Sequence, residues 1–168
     1  MEAHRPDGPT KGTIMTDTAD TTVRYAETPV QKAALTVGIV FLVIGIAGFI
    51  PGLTTSFETM EFAGHESEAL VLRVFQVSVL HNIVHLLFGV AGLAFARSIA
   101  GSRNFLIWGG VIYAVLLIYG LFLSGDQPAN FVPLNTADNW LHAVLAVGMI
   151  LLGVFLGRRD VRATTARA

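Results

Sequence analysis

Two pairs of polar residues interrupt the apolar segments of this sequence at the same spacing. His81 and His85 lie four residues apart, and Asp138 and His142 repeat that spacing. Residues four apart lie on one face of an α-helix, about 6 Å apart along its axis. Imidazoles and carboxylates can bind transition metals, hold haem iron or transfer protons. If the two pairs meet, three imidazoles and one carboxylate form a single site.

Three functional interpretations remain open beside a structural one, in which these side chains only hydrogen-bond across helices. In the first, a divalent transition metal is bound by His81, His85, His142 and Asp138. In the second, His142 and one histidine of the first pair hold a single b-type haem, because ~6 Å of rise cannot separate two macrocycles. In the third, the cluster is a proton or ion relay, although the apolar inner halves of the predicted helices offer no continuous path.

Two amides and one phenol extend the candidate cluster. Asn82 and Asn139 adjoin the two pairs in sequence, and amides also hydrogen-bond across membrane helices. Tyr113 lies on the apolar segment between the two pairs. We expect its side chain to point into the interior, where its hydroxyl would be a hydrogen-bond partner.

Asp138 also has a structural explanation, which the sequence favours. It stands at the start of an apolar segment, where Asn135 or Thr136 can cap a helix. A carboxylate in the first turn is stabilised by the helix dipole. Trp140, two residues further on, is typical of an aromatic anchor at a membrane interface.

The composition indicates a membrane protein. Hydrophobic residues make up 53% of the 168 residues and charged residues only 14%, which is far from a soluble composition. The lack of cysteine excludes disulfides, thiolate metal sites and a cysteine nucleophile. Neither a phosphate-binding glycine loop nor a Ser-His-Asp arrangement nor a basic nucleic-acid surface is present. We therefore favour a non-enzymatic membrane protein that does not bind nucleic acid.

The predicted fold is all-α, a four-helix transmembrane bundle with a disordered polar N-terminal tail. Apolar runs of this length can cross about 30 Å of hydrocarbon. The membrane domain covers residues 33–157, with spans at about 33–50, 71–96, 104–124 and 138–156. The tail covers residues 1–32, with Met15 as an alternative start to Met1, and a basic tail covers 158–168.

The connections are predicted from their polar residues. Residues 53–73 contain four glutamates, which predicts an exposed acidic loop with a short helix from Ser67 leading into the second span. Ser98 to Arg103 is predicted to be a polar turn. The loop 125–135 contains two prolines and is predicted not to be helical.

The basic residues predict the orientation. With four spans both tails lie on one side, and every Lys and Arg except Arg73 lies there: Arg5, Lys11, Arg24, Lys32, Arg97, Arg103, Arg158, Arg159, Arg162 and Arg167. The positive-inside rule then places both termini in the cytoplasm. The second and fourth spans run in the same direction, so His81, Asp138 and His142 fall in the outer half of the membrane.

Small residues indicate where helices approach each other. Gly38, Gly45 and Gly52 recur every seven residues, and Gly48 with Gly52 makes a GxxxG pair. On the second span, Gly89 and Gly92 continue the row of His81 and His85, and on the fourth Ala146 and Gly153 continue that of Asp138 and His142. The imidazoles are therefore expected to face neighbouring helices.

At both polar stretches the sequence resembles a family of small four-span bacterial membrane proteins, frequent in actinobacteria, that is catalogued only as a domain of unknown function. The matching stretches are Phe75-Gln76-Val77, Leu80 to Leu86 with Gly89, Pro133-Leu134-Asn135, Ala137 to His142, and Gly48-Phe49 with Pro51. Ser78-Val79 departs from the Asn-Pro expected before the histidines. The resemblance covers about 33–156 and implies a multi-pass protein of the bacterial cytoplasmic membrane. Its expected partners are the lipid bilayer, a second copy of the chain or other membrane proteins.

Overall fold

The computed structural model describes residues 25–64, 66–123, 132 and 134–165. Within them lie four helices and one small antiparallel sheet. In chain order the elements are α1 Pro29–Ala47, β1 Thr54–Thr55, the 3-10 helix Phe57–Thr59, β2 Leu70–Val71, β3 Phe75–Gln76, α2 Val79–Phe95, α3 Ile99–Phe122 and α4 Thr136–Thr165. The disorder predicted before residue 25, His65 and most of the proline loop lie outside the described residues.

Three of these helices are long and apolar enough to cross a membrane: Pro29–Ala47, Ile99–Phe122 and the part Thr136–Asp160 of α4. The helix α2 is also apolar but has only 17 residues. The predicted four helices are therefore present, and one of the four is a shorter candidate span than the other three.

The first helix begins earlier than predicted, at Pro29 rather than residue 33. Thr28 caps it through a capping box: its hydroxyl accepts from the Gln31 backbone N–H, and the Gln31 side chain accepts from the Thr28 N–H. Proline at the first helical position adds a preset backbone angle. The predicted tail therefore ends at its cap, and residues 29–32 belong to the bundle.

The all-α prediction is wrong between α1 and α2, where the chain forms a sheet in the order β1-β2-β3. Residues 71–78 are therefore not the start of the second span, and no helix begins at Ser67. β2 and β3 form a hairpin, and its turn residues Leu72 and Arg73 both have positive φ. The buried Ser67 hydroxyl donates to the Val77 carbonyl instead of starting a helix.

Capping serines also move the ends of the next two helices. Ser78 caps α2 by accepting from the His81 N–H. The Asn expected here from the family resemblance would cap a helix equally well, so the departure at Ser78 keeps the capping role. Ser98 caps α3 by accepting from the Gly101 N–H, so the predicted turn Ser98 to Arg103 is mostly the first turns of α3.

The last helix does not stop at residue 156 as predicted. α4 continues through Arg158 and Arg159 to Thr165. Gly157 packs against the side chain of Arg103, so the helix keeps a partner in α3 beyond the apolar segment. The predicted start of the basic tail is therefore helical.

The bundle is built from two closely packed helix pairs, α1 with α2 and α3 with α4. A Cβ added at Gly92 would lie 2.6 Å from the Gly38 Cα, and one added at Gly110 would lie 2.9 Å from the Ala146 carbonyl oxygen. The packing role predicted for Gly38 is confirmed. The predicted GxxxG pair is wrong, because α1 ends at Ala47 and Gly52 lies in a turn with φ +94°.

We call the two ends of the bundle the sheet end and the tail end. The sheet end carries the β-sheet and the starts of α2 and α4. At the tail end, where α1 begins, the Val30 N–H donates to Asp160 Oδ2 (2.9 Å) and Gln31 Nε2 donates to the Ala96 carbonyl (3.0 Å). The main core between the ends includes Phe41, Phe105, Leu106, Tyr113, Ala146 and Met149.

Candidate functional site

The first half of the site is the start of α2. The rings of His81 and His85 stack with centroids 4.4 Å apart and planes 14° apart. His85 Nδ1 lies 3.1 Å from the His81 carbonyl oxygen, to which it donates. This bond fixes the tautomer of His85 and leaves its Nε2 without a proton, as an acceptor.

The second half is His142, one turn after Asp138 on α4. Its ring lies 5.2 Å from the ring of Tyr113, which stacks in turn on Phe41 at 5.5 Å, and Phe41 lies 5.3 Å from His85. His142 is buried, and within the described part of the chain its Nδ1 has no hydrogen-bond partner. A buried polar atom without a partner costs free energy, and Asn139 Oδ1 is a second such atom among the described residues.

Two cavities adjoin the imidazoles, and His81, His85 and His142 line both of them. The first, of about 260 Å³, lies between α2, α3 and α4 and is also lined by Tyr113. The second, of about 330 Å³, lies between α1, α2 and α4 and reaches Val71 of β2, Phe75 of β3 and Val77, the residue after β3. The two histidine stretches, whose meeting the sequence left open, therefore line the same two cavities.

Asp138 connects the site to the sheet. Its Oδ2 accepts from the Gln76 N–H of β3 (3.1 Å) and from the Asn135 N–H (2.9 Å), while the Asn135 side chain accepts from the Asp138 N–H. The capping role predicted for Asn135 is confirmed. Asp138 is buried and lines the larger cavity. Its carboxylate therefore fixes both β3 and the start of α4 next to this cavity.

The two asparagines of the candidate cluster point to other neighbours. Asn82 packs on Gly48 at the end of α1 and donates to Met60 Sδ at 3.8 Å. Asn139 donates to the Gly120 carbonyl at 3.4 Å on α3. Neither residue lines the two cavities. The cluster that the structure brings together is thus His81, His85, His142, Tyr113 and Asp138.

Comparison with known families identifies the chain. The model of the DUF4383 family, described as a domain of unknown function, matches residues 31–155. This chain belongs to that family. No curated protein and no solved structure matches it. The resemblance seen in the sequence is confirmed, and the bacterial and actinobacterial origin that it implied stays a prediction.

The histidine geometry of this DUF4383 domain bears on metal binding. Among the described residues, which include all four predicted ligands, no three His, Asp or Glu side chains are placed to hold one metal ion. A metal lies in the plane of each imidazole that binds it, about 2.0–2.1 Å from the nitrogen. Because the rings of His81 and His85 stack almost in parallel, at least one of them must rotate before both can bind one ion. Metal and haem binding both stay predictions.

The core below the site is apolar. Between His85 and the tail-end pair Gln31 and Asp160, the DUF4383 domain is filled by aromatic and aliphatic side chains. Within the described residues, no chain of polar groups connects the two ends. The relay interpretation therefore stays a prediction without a visible path.

Two residues of the site carry roles that the sequence did not reveal. Phe41 separates His85 from Tyr113, but nothing distinguishes it from other apolar residues of α1. Gln76 contributes its backbone N–H to Asp138, and a backbone role leaves no mark on residue type. Only the position of Gln76 in a motif shared with the family pointed to it.

Proposed function

We propose that this DUF4383 protein is a four-span protein of the bacterial cytoplasmic membrane that binds a small uncharged molecule at its three imidazoles. The first part of the proposal is the topology. The 17 residues of α2 extend about 26 Å at 1.5 Å per residue, near the lower limit for a span. Its glycine contact with α1, a helix long enough to span, supports a course of α2 through the bilayer alongside α1.

The orientation rests on charge. Lys32, Arg97, Arg103 and Arg158 lie at the tail end, whereas Arg73 lies at the sheet end. Under the positive-inside rule the tail end faces the cytoplasm and the sheet covers the outer surface.

Single cysteines test this topology cleanly because the chain has none of its own. Phe62→Cys in the exposed loop of the sheet end should react with an impermeant maleimide in intact cells. Ala163→Cys, exposed beyond the tail end, should react only after permeabilisation. The reverse pattern would overturn the orientation, and reaction of both in intact cells would overturn the four-span topology.

The binding function rests on one observation, the buried Nδ1 of His142 without a partner beside two cavities. A molecule with a hydroxyl or carbonyl oxygen would pair this nitrogen and fill the apolar space around it. Among the described residues, neither cavity is lined by Lys or Arg, which favours an uncharged ligand over an anionic one.

The test is to extract the protein in native-membrane polymer discs and to identify bound organic molecules by mass spectrometry. Wild type and the control Trp140→Leu, on the exposed face of α4, should retain one compound that His142→Leu loses. The same samples are examined by visible spectroscopy and elemental analysis. A Soret band or stoichiometric metal lost on His142→Leu would replace the proposal with haem or metal binding. If no organic compound, no Soret band and no metal is found, the binding function is contradicted.

A further inference from the structure

A groove follows the seam between α2 and α3 from the tail end towards the imidazoles. It has a volume of about 390 Å³ and is lined by Leu87, Phe88, Ala91, Phe95, Phe105 and Trp108 among others. Asn104 is its one polar side chain at the tail end. The groove is therefore suited to an apolar chain.

This groove and the smaller imidazole cavity follow one another along the same seam. Ile112 lines both of them, and on α2 the groove residues Leu87 and Phe88 come one turn after Val84 of the cavity. From Ile112 to Asn104 the groove extends about 12 Å along α3. A single elongated molecule can thus place one end at His142 and the rest along the seam.

The fold explains why the seam is open. The close helix contacts are those of α1 with α2 and of α3 with α4, whereas α2 and α3 belong to different pairs. Leu87 and Trp108 flank the seam and are 63% and 65% exposed. In a bilayer such side chains face lipid, so a ligand dissolved in the membrane can enter sideways.

We propose that the bound molecule is an amphiphile of the quinone type, with a planar uncharged head at the imidazoles and a long apolar chain in the α2–α3 groove. This inference rests on the proposed function and adds the chemical class of the ligand. The unpaired His142 Nδ1, when it carries the proton, can donate to a quinone carbonyl, and the rings of Tyr113 and His142 offer flat surfaces to a planar head. A phosphate or carboxylate head is disfavoured because no Lys or Arg of the described part of the chain lines the cavity.

The two tryptophans of the chain allow a direct binding assay. Trp108 lines the groove, whereas Trp140 is 72% exposed on α4 and lines none of the three cavities. Quinones quench nearby tryptophan fluorescence. Trp140→Phe therefore leaves a reporter in the groove, and Trp108→Phe leaves a control that reports only partition into the micelle.

The probes are decylubiquinone and its head alone, 2,3-dimethoxy-5-methyl-1,4-benzoquinone. In the Trp140→Phe protein, decylubiquinone should quench saturably with at least tenfold higher affinity than the head. Ala91→Phe, which fills the groove, should reduce the affinity for decylubiquinone to that of the head. Val90→Phe, 58% exposed on the same helix outside the groove, should change neither. Should Ala91→Phe not fold, Leu87→Phe replaces it.

Two results would overturn the inference. Equal affinities for both probes, with no effect of Ala91→Phe, would show that the groove does not bind the apolar chain. A head-group site that His142→Leu abolishes would then remain. Quenching without saturation, equal for Trp108 and Trp140, would mean partition into the micelle only and would remove the quinone class. In either case the extraction experiment above still decides whether the imidazoles bind another molecule.

Discussion

At the tail end, Gln31 and Asp160 are buried and hydrogen-bonded to the backbone of other segments, whereas at the sheet end His142 is equally buried and one of its ring nitrogens is unpaired within the described residues. Close packing does not distinguish the two ends, because glycines bring α2 against α1 at Gly92 and again where Asn82 packs on Gly48. The difference lies in the two cavities beside the imidazoles.

The difference separates two uses of a buried polar group. A group whose partners lie on neighbouring helices closes the bundle, because losing one partner leaves the other unpaired in an apolar medium. A group left without a partner beside a cavity lowers stability by its desolvation cost, and a molecule that supplied the partner would remove that cost. Polarity and burial alone therefore do not mark a binding site. Whether each polar atom has a hydrogen-bond partner must also be known.

The largest effect is expected where backbones touch. Gly92→Val places a branched side chain against Gly38, and overpacking of this kind should lower the free energy of unfolding by about 3 kcal/mol. The measurement is unfolding in mixed micelles, followed by circular dichroism.

Gly148→Val is the matched control, because a Cβ at Gly148 meets nothing within 4 Å. It should change stability by less than about 1 kcal/mol. Equal losses in both variants would mean that α1 and α2 do not depend on their close approach.

Asp160→Ala should lower the free energy of unfolding by about 2 kcal/mol, because it removes a charged acceptor from the buried Val30 N–H. Asp160→Asn keeps an oxygen acceptor of the same reach and should recover at least half of the loss. If alanine costs no more than asparagine, the tail end is not closed by this bond.

The sequence predicted the bundle well because its signals are local. Uncharged apolar runs and paired polar residues four apart are both properties of one segment. The meeting of His81 and His142 could be predicted only by assuming that two segments pack, and the parallel direction of α2 and α4 supported that assumption.

The sheet could not be predicted in the same way. Its strands have two residues each, too short to show alternation, and the turn residues Leu72 and Arg73 adopt positive φ without glycine or asparagine. The sheet is held by distant contacts such as Gln76 to Asp138. Whether His142 is paired likewise depends on three helices at once, which no single segment reveals.

Asp138 tests the comparison from within the sheet end, because it is a buried group there that does have partners. Asp138→Ala should free β3 and cost about 1 kcal/mol, less than Asp160→Ala, because the Gln76 and Asn135 N–H groups that lose their acceptor are only part-buried and can pair with water. Hydrogen exchange should show faster exchange of the Gln76 amide, with the Val30 amide unchanged. Asp138→Asn retains an oxygen and should protect Gln76 nearly as well as wild type.

The smallest and most informative effect is expected at His142. If its Nδ1 is unpaired in the empty protein, His142→Leu removes a desolvation cost and fills the same space with apolar atoms. The delipidated variant should then be as stable as wild type or more stable by up to about 1 kcal/mol. Thermal melting after exhaustive detergent exchange measures this difference.

His85→Leu is the control for His142, because His85 Nδ1 does have a partner in the His81 carbonyl. If His142→Leu lowers stability as much as His85→Leu, the whole cluster has a structural role. The buried polar groups of the sheet end would then serve the same purpose as those of the tail end. A gain at His142 in the empty protein, reversed when the bound molecule is present, would identify the unpaired nitrogen as the group that the ligand satisfies.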